Sequence, residues 1–241
     1  MNKIELGSKT AKGGFANEKY ICYKFNNWEE DMEAREWLNI MGYDINKIDS
    51  VEAIQIPTRI KESDLCKFGV DEKEYERFIR FKKADAQIKI TIKIGEILKT
   101  ENLSLKKANS DADYNQVDKR TVDSYQEMWN FDDEILFWLK LFTGELDPKK
   151  YSTKIGTKNF KDSRRLFLDE MPKRIQDKII EFFRKNKIMI VNDIIKGRGG
   201  LSANWMLVAR FDKENNTTTW TLKDINVVMN FFGSGTVCIS P

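Results

Sequence analysis

The sequence predicts an α/β or mixed α+β fold around a central mixed sheet. Runs with period-two alternation, such as Val51-Glu52-Ala53-Ile54-Gln55-Ile56, are interspersed with runs of helical period, such as Met32, Trp37, Leu38 and Met41. The chain has 241 residues, with 41% hydrophobic and 12% aromatic residues, enough for a sizeable core. A single domain over 1–241 is expected.

Taken in order, residues 7–14 read as a flexible basic entry containing Lys9 and Lys12. Apolar positions 15, 21, 22, 25 and 28, then 32, 37, 38 and 41, predict a helical pair. Val51 to Pro57 alternates and stops at the proline, a short strand. Residues 59–83 are unusually charged, with a helix expected from Asp71 to Lys83. Strands over about 85–94 and 102–107 follow, joined by Gly95 to Glu101, and then one long apolar helix from Val122 to Phe142. Lys149 to Arg165 is basic and polar, an exposed loop. A helix over 175–184, a strand over 187–191 and a basic turn at Gly197-Arg198-Gly199-Gly200 come next. Two strands near 204–212 and 217–222, a helix over 224–232 and a strand from Thr236 to Ser240 complete the chain.

Composition removes several function classes. The chain contains no histidine, which excludes Ser-His-Asp and Cys-His catalysis and imidazole-ligated zinc. Acid/base chemistry falls to carboxylates, lysine, tyrosine or metal-bound water. Forty-one basic against 38 acidic residues leave +3, so a polyanion site must come from local clustering. Cys22, Cys66 and Cys238 fit neither a metal motif nor a disulfide framework and read as reduced thiols. Met1 to Glu5 begins no signal peptide, and no apolar run approaches the ~20 residues of a membrane span, so a cytoplasmic protein without membrane association is expected.

Asp85 opens one strand, and nineteen residues later the chain reads Ser104-Leu105-Lys106. Alternation puts positions 104 and 106 on one face of a strand. A hairpin between the two segments would gather an acid, a hydroxyl and an ammonium around one point. That set suits a metal-dependent phosphodiesterase, in which a carboxylate holds a hard divalent cation and a lysine offsets charge on the phosphate. Taken singly, Asp85, Ser104 and Lys106 are ordinary strand residues. Glu18 on the first helix is either a solvated acid or a second carboxylate at the metal. Tyr114-Asn115-Gln116-Val117-Asp118-Lys119 is either a polar loop or a base-reading segment, since amides and cations can address base edges. Arg198 in its glycine turn, Lys9 and Lys12 could contact phosphates or simply be solvated.

Longer runs carry a resemblance. Gly7-Ser8-Lys9-Thr10-Ala11-Lys12, Asn17-Glu18-Lys19, Asn115-Gln116-Val117-Asp118-Lys119, Tyr125-Gln126-Glu127-Met128-Trp129, Phe142-Thr143-Gly144-Glu145-Leu146 and Gly197-Arg198-Gly199 resemble type II restriction endonucleases of the HinP type, which cut GCGC, and their Msp-type relatives. The resemblance covers most of the chain. It implies a PD-(D/E)xK nuclease core, double-stranded DNA as substrate, a short GC-rich palindrome and Mg²⁺. It assigns Asp85, Glu18 and the Leu105 carbonyl to the metal, and Ser104 and Lys106 to catalysis. It assigns Gln116, Asn115 and Lys119 to DNA, to which the charge and setting of Arg198, Lys9 and Lys12 add candidate phosphate contacts. A companion DNA methyltransferase in the host and a monomer or weak homodimer are implied as well.

Three departures stand out. Ser104 replaces the family's glutamine, the 59–82 insertion has no assigned role, and a Gly/Arg/Lys-rich segment expected after Ser240-Pro241 is missing. A DNA-binding protein weakened in cleavage is therefore the alternative reading.

Overall fold

The computed structural model describes residues 18–57, 60–73, 75, 87–109, 120–212 and 214–238. They belong to two compact units, Met1–Asp118 with Asp193–Phe231, and Lys119–Asn192 with Phe232–Pro241.

The first unit is a five-stranded sheet with helices. Helix α1, residues 18–26, buries Ile21, Cys22 and Phe25, one stripe at helical spacing. Helix α2, Met32–Ile40, starts where the Asp31 carboxylate accepts the Ala34 N–H at 2.9 Å, and it buries Ala34, Trp37 and Leu38. Between the helices the buried Lys24 pairs with Asp31 at 2.8 Å and Glu33 at 2.6 Å. Burial alone would lower its pKa, but those two bonds outweigh it and hold the ammonium well above its ordinary range.

Strands β1 (Ser50–Ile56), β2 (Gln87–Ile94), β3 (Ile97–Asn109), β4 (Trp205–Asp212) and β5 (Thr217–Asp224) lie in that spatial order. All pairs are antiparallel except β3 with β4, which is parallel. The sheet is therefore mixed, as the sequence predicts. Gly95, at φ 57°, turns the hairpin in two residues, so β3 begins at Ile97 and positions 97–101 of the expected connection are strand instead.

The register assigns the faces. Val51, Ala53, Ile88, Ile90, Ile92, Leu103, Leu105, Leu207 and Leu222 share one face and pack with α1 and α2 in the main core. Each Val, Ile or Leu among them, once buried, contributes roughly 1.5–3 kcal/mol. On the other face Ile56 joins Ile60, Leu65, Phe68, Val70 and Leu201 in a second cluster around the short helix α3, Leu65–Phe68. Asn26 of α1 guards the β1 edge: its Oδ1 accepts the Ala53 N–H at 2.7 Å and its Nδ2 donates to the Ala53 carbonyl at 3.1 Å.

The second unit is helical among its described residues. The expected long helix 122–142 is two, α4 (Val122–Trp129) and α5 (Asp133–Thr143). Asn130 adopts the left-handed conformation at φ 55° and ends α4, and the Asp132 carboxylate then caps α5 on Ile135 N–H. Glu145 accepts the Val122 N–H, sealing the start of α4. Tyr125 stacks on Trp129 at 4.5 Å, and Trp129 meets Phe183 edge-on at 6.1 Å. Within 149–165, expected to be loop, helix α6 (Ser152–Ile155) forms a single turn. Helix α7 is Lys173–Lys185.

Residues 187–191 were expected as a strand. They open helix α8, Lys187–Ile195, because the four-residue apolar run Ile188–Val191 satisfies a buried helix as well as a strand. Helix α9, Ile225–Ser234, runs through Gly233, and residues 236–238 are not in a strand. Of the helix expected over 71–83, residues 72, 73 and 75 are helical, and positions 74 and 76–83 lie outside the described residues.

Candidate active site

Strand β3 carries Ser104, Leu105 and Lys106 at its parallel junction with β4, where Ser104 pairs with Met206 and Lys106 with Val208. Alternation turns Leu105 into the main core and points Ser104 and Lys106 away from it, onto the opposite face. Both polar residues are nonetheless buried, Ser104 at 0% exposure and Lys106 at 9%. An ammonium this deep requires oxygen or charge beside it.

Across the hairpin, Gln87 is the direct partner of Ser104 and shares its face. Gln87 is two residues beyond Asp85, and Ser104 is two residues before Lys106. Asp85 itself lies outside the described residues, as do Lys9, Lys12, Asn115, Gln116 and Lys119.

The glycine turn is fastened over this polar face. Gly197 at φ 84° and Gly199 at φ 72° take conformations that only glycine adopts cheaply. The Gln87 amide donates to the Leu201 carbonyl at 3.2 Å, and the Asn102 amide donates to the Gly200 and Ser202 carbonyls at 2.7 and 3.2 Å. Asn204 returns two bonds to the Asn102 backbone, with Oδ1 accepting and N–H donating, both at 2.8 Å. Arg198, expected as a phosphate anchor, holds the buried Asp193 through two hydrogen bonds.

Glu18 is buried at the start of α1 and accepts from Gln55 Nε2 at 2.6 Å. Gln55 pairs with Ile88 and so shares the main-core face. Glu18 thus meets the sheet from the face opposite Ser104 and Lys106, and β-strand alternation does not bring the three together. Its negative charge is felt by Cys22, whose thiol is pushed up to about 12, first by burial and then by Glu18. A cavity of ≈ 390 Å³ lined by Tyr20, Glu33, Lys107, Phe211 and Trp220 also opens on the main-core face, away from Lys106.

Sequence reasoning did not single out Gln87 or Asn102. Both are buried amides on the Lys106 face, and in each the amide nitrogen is engaged while Gln87 Oε1 and Asn102 Oδ1 have no hydrogen-bond partner among the described residues. The signal available was polar alternation in β2 and β3, which ordinary solvent-facing strands also show. Among the described residues no three His, Cys, Asp or Glu side chains gather to hold a metal. Among the described residues, the Gln87 amide oxygen and the Ser104 hydroxyl share one face of the hairpin, neutral oxygens of the hard kind that Mg²⁺ accepts beside a carboxylate.

A mixed sheet flanked by helices, with a buried lysine on its polar face, is consistent with a restriction-endonuclease-like fold. The family model described as R.HinP1I restriction endonuclease matches residues 76–241, well over half of the chain. The chain belongs to that family, and it is therefore a site-specific deoxyribonuclease that binds double-stranded DNA and hydrolyses its phosphodiester bonds. No curated protein matches the chain. Among the described residues no helix is long and apolar enough to cross a membrane.

Proposed function

We propose that the chain is a Mg²⁺-dependent type II restriction endonuclease that cuts within a short GC-rich, GCGC-like palindrome. Lys106 carries the reading: it is buried beside Ser104, whose hairpin partner Gln87 follows Asp85 by two residues. In this assignment Asp85 and the Leu105 carbonyl hold the cation, and Glu18, which meets the sheet from the other face through Gln55, is left out of the set. A bound Mg²⁺ supplies charge stabilisation and an acidified water at the scissile phosphate. Lys106 orients that water or neutralises charge on the phosphate, and Ser104 contributes a hydroxyl where a carboxylate or amide would bind metal more strongly. Burial keeps competing water from Lys106 and strengthens its field at the phosphate.

Asn115, Gln116 and Lys119 offer amide and ammonium donors suited to base edges, guanine acceptors included. Lys9 and Lys12 add phosphate contacts. Arg198 contributes by holding the glycine turn through Asp193. The reading includes a cytoplasmic location, one restriction-endonuclease-like domain over 1–241, action as a monomer or weak homodimer, and a host methyltransferase that protects the same palindrome.

Plasmid cleavage in Mg²⁺ against EDTA, with a parallel gel shift, tests it. Lys106→Ala should lower the cleavage rate by about 10²–10³-fold while retaining DNA retardation. Undiminished cleavage by that variant, or cleavage in EDTA, would sink the mechanism. Retardation without cutting by the unaltered chain would favour the DNA-binding alternative.

A further inference from the structure

From the hairpin register and two orphaned oxygens, we infer that Gln87 is an oxygen donor to the divalent-cation site, its side-chain carbonyl standing across the hairpin from Ser104. The inference rests on the proposed Mg²⁺-dependent reading and adds to it a residue from the neighbouring strand.

Gln87 is the direct cross-strand partner of Ser104, and such partners have Cβ atoms about 4.5–5.5 Å apart. It is wholly buried, and its Nε2 donates to the Leu201 carbonyl. That bond fixes the amide orientation, because a flipped amide would set two oxygens against each other. Among the described residues Oε1 is left buried without a hydrogen-bond partner. A buried, unsatisfied carbonyl is costly and persists where something else uses it. A hard cation that takes uncharged oxygen ligands is such a user.

Asn102 provides an internal contrast. It also ties the 199–204 loop through its amide and also leaves Oδ1 unpartnered, but it pairs with Lys89, one step further from Lys106 along the same face. Gln87 sits level with Ser104, where the assigned metal set has only a weak hydroxyl donor. The loop carbonyls hold both amide nitrogens, and the oxygen beside Ser104 is the one placed for the ion.

The test measures Mg²⁺ and Mn²⁺ affinity by titration calorimetry on the full chain without DNA, alongside half-saturating Mg²⁺ in cleavage. Gln87→Met should weaken metal affinity by about 10–100-fold. Gln87→Glu keeps an oxygen at the same place while losing the amide donor, and should match or exceed the unaltered chain. Asn102→Leu, which also releases the loop, should leave metal affinity within about twofold. If Gln87→Met binds metal normally, or Asn102→Leu weakens it equally, the inference is overturned. Should Gln87→Met fail to fold, Gln87→Glu decides alone: lost metal affinity in a folded Gln87→Glu refutes the role. Asp85→Ala separates the two claims. Metal binding abolished by Asp85→Ala but unchanged by Gln87→Met overturns this inference and leaves the proposed function standing; metal binding unaffected by Asp85→Ala removes the reading on which it rests.

Discussion

Arg198 grips Asp193 through both carboxylate oxygens, Nε to Oδ1 at 2.7 Å and Nη2 to Oδ2 at 2.6 Å, and the acid is 1% exposed. The pair joins the end of α8 to the glycine turn that covers the polar sheet face. Planar two-point contact of this kind suits arginine and no other side chain.

Arg198→Ala should therefore destabilise the chain by about 3–5 kcal/mol, because a buried carboxylate loses its counter-charge. Arg198→Lys keeps the charge but not the fork and should fall in between. Urea unfolding of the three proteins measures the order, and equal midpoints would show that the pair contributes nothing.

The three thiols should separate by reactivity. Cys66 and Cys238 are exposed, whereas Cys22 is buried with its pKa at about 12. At pH 8 a thiol reagent should modify two cysteines quickly and the third only on unfolding. Because the folded value lies above the unfolded value of 9.0, this group's contribution to stability is intact below pH 9 and declines as pH rises toward about 12.

Acid should act through the second unit. Glu134 is held at about 2, first by its hydrogen bond with Arg174 and then by that with Lys178. Its folded value lies below the unfolded 4.5, so its stabilisation is present above pH 4.5 and is lost as pH falls toward about 2. Glu134→Gln should flatten the fall in melting temperature across that window. A profile parallel to the unaltered chain's would count against the role.

Asn130 ends α4 in a left-handed conformation. Asn130→Gly should be nearly neutral, and Asn130→Val should cost about 1–2 kcal/mol, readable as a lowered melting temperature.

Much of this fold was legible because its signals are local. The alternation of 51–56, 87–94 and 205–212 and the helical period of 32–41 reappear as strands and a helix where expected. The break at Asn130 escaped because the apolar period runs straight through it, and one backbone angle decides the matter. Residues 187–191 escaped because a short apolar run fits either structure. Of the site, the hairpin and the shared face of Ser104 and Lys106 were legible. The separation of Glu18 onto the other face was not, since it depends on which β1 residue it meets.

The sequence by itself determined which residues alternate, so that Ser104 and Lys106 face one way and Leu105 the other, a consequence of the two-residue repeat of any strand. Tertiary structure alone decided what stands opposite them. The turn at Gly95 sets Gln87 against Ser104, and the loop that holds the Gln87 amide is contributed by Leu201, 114 residues along the chain. Periodicity is carried by neighbouring residues, whereas the burial of a polar face depends on distant chain returning to cover it.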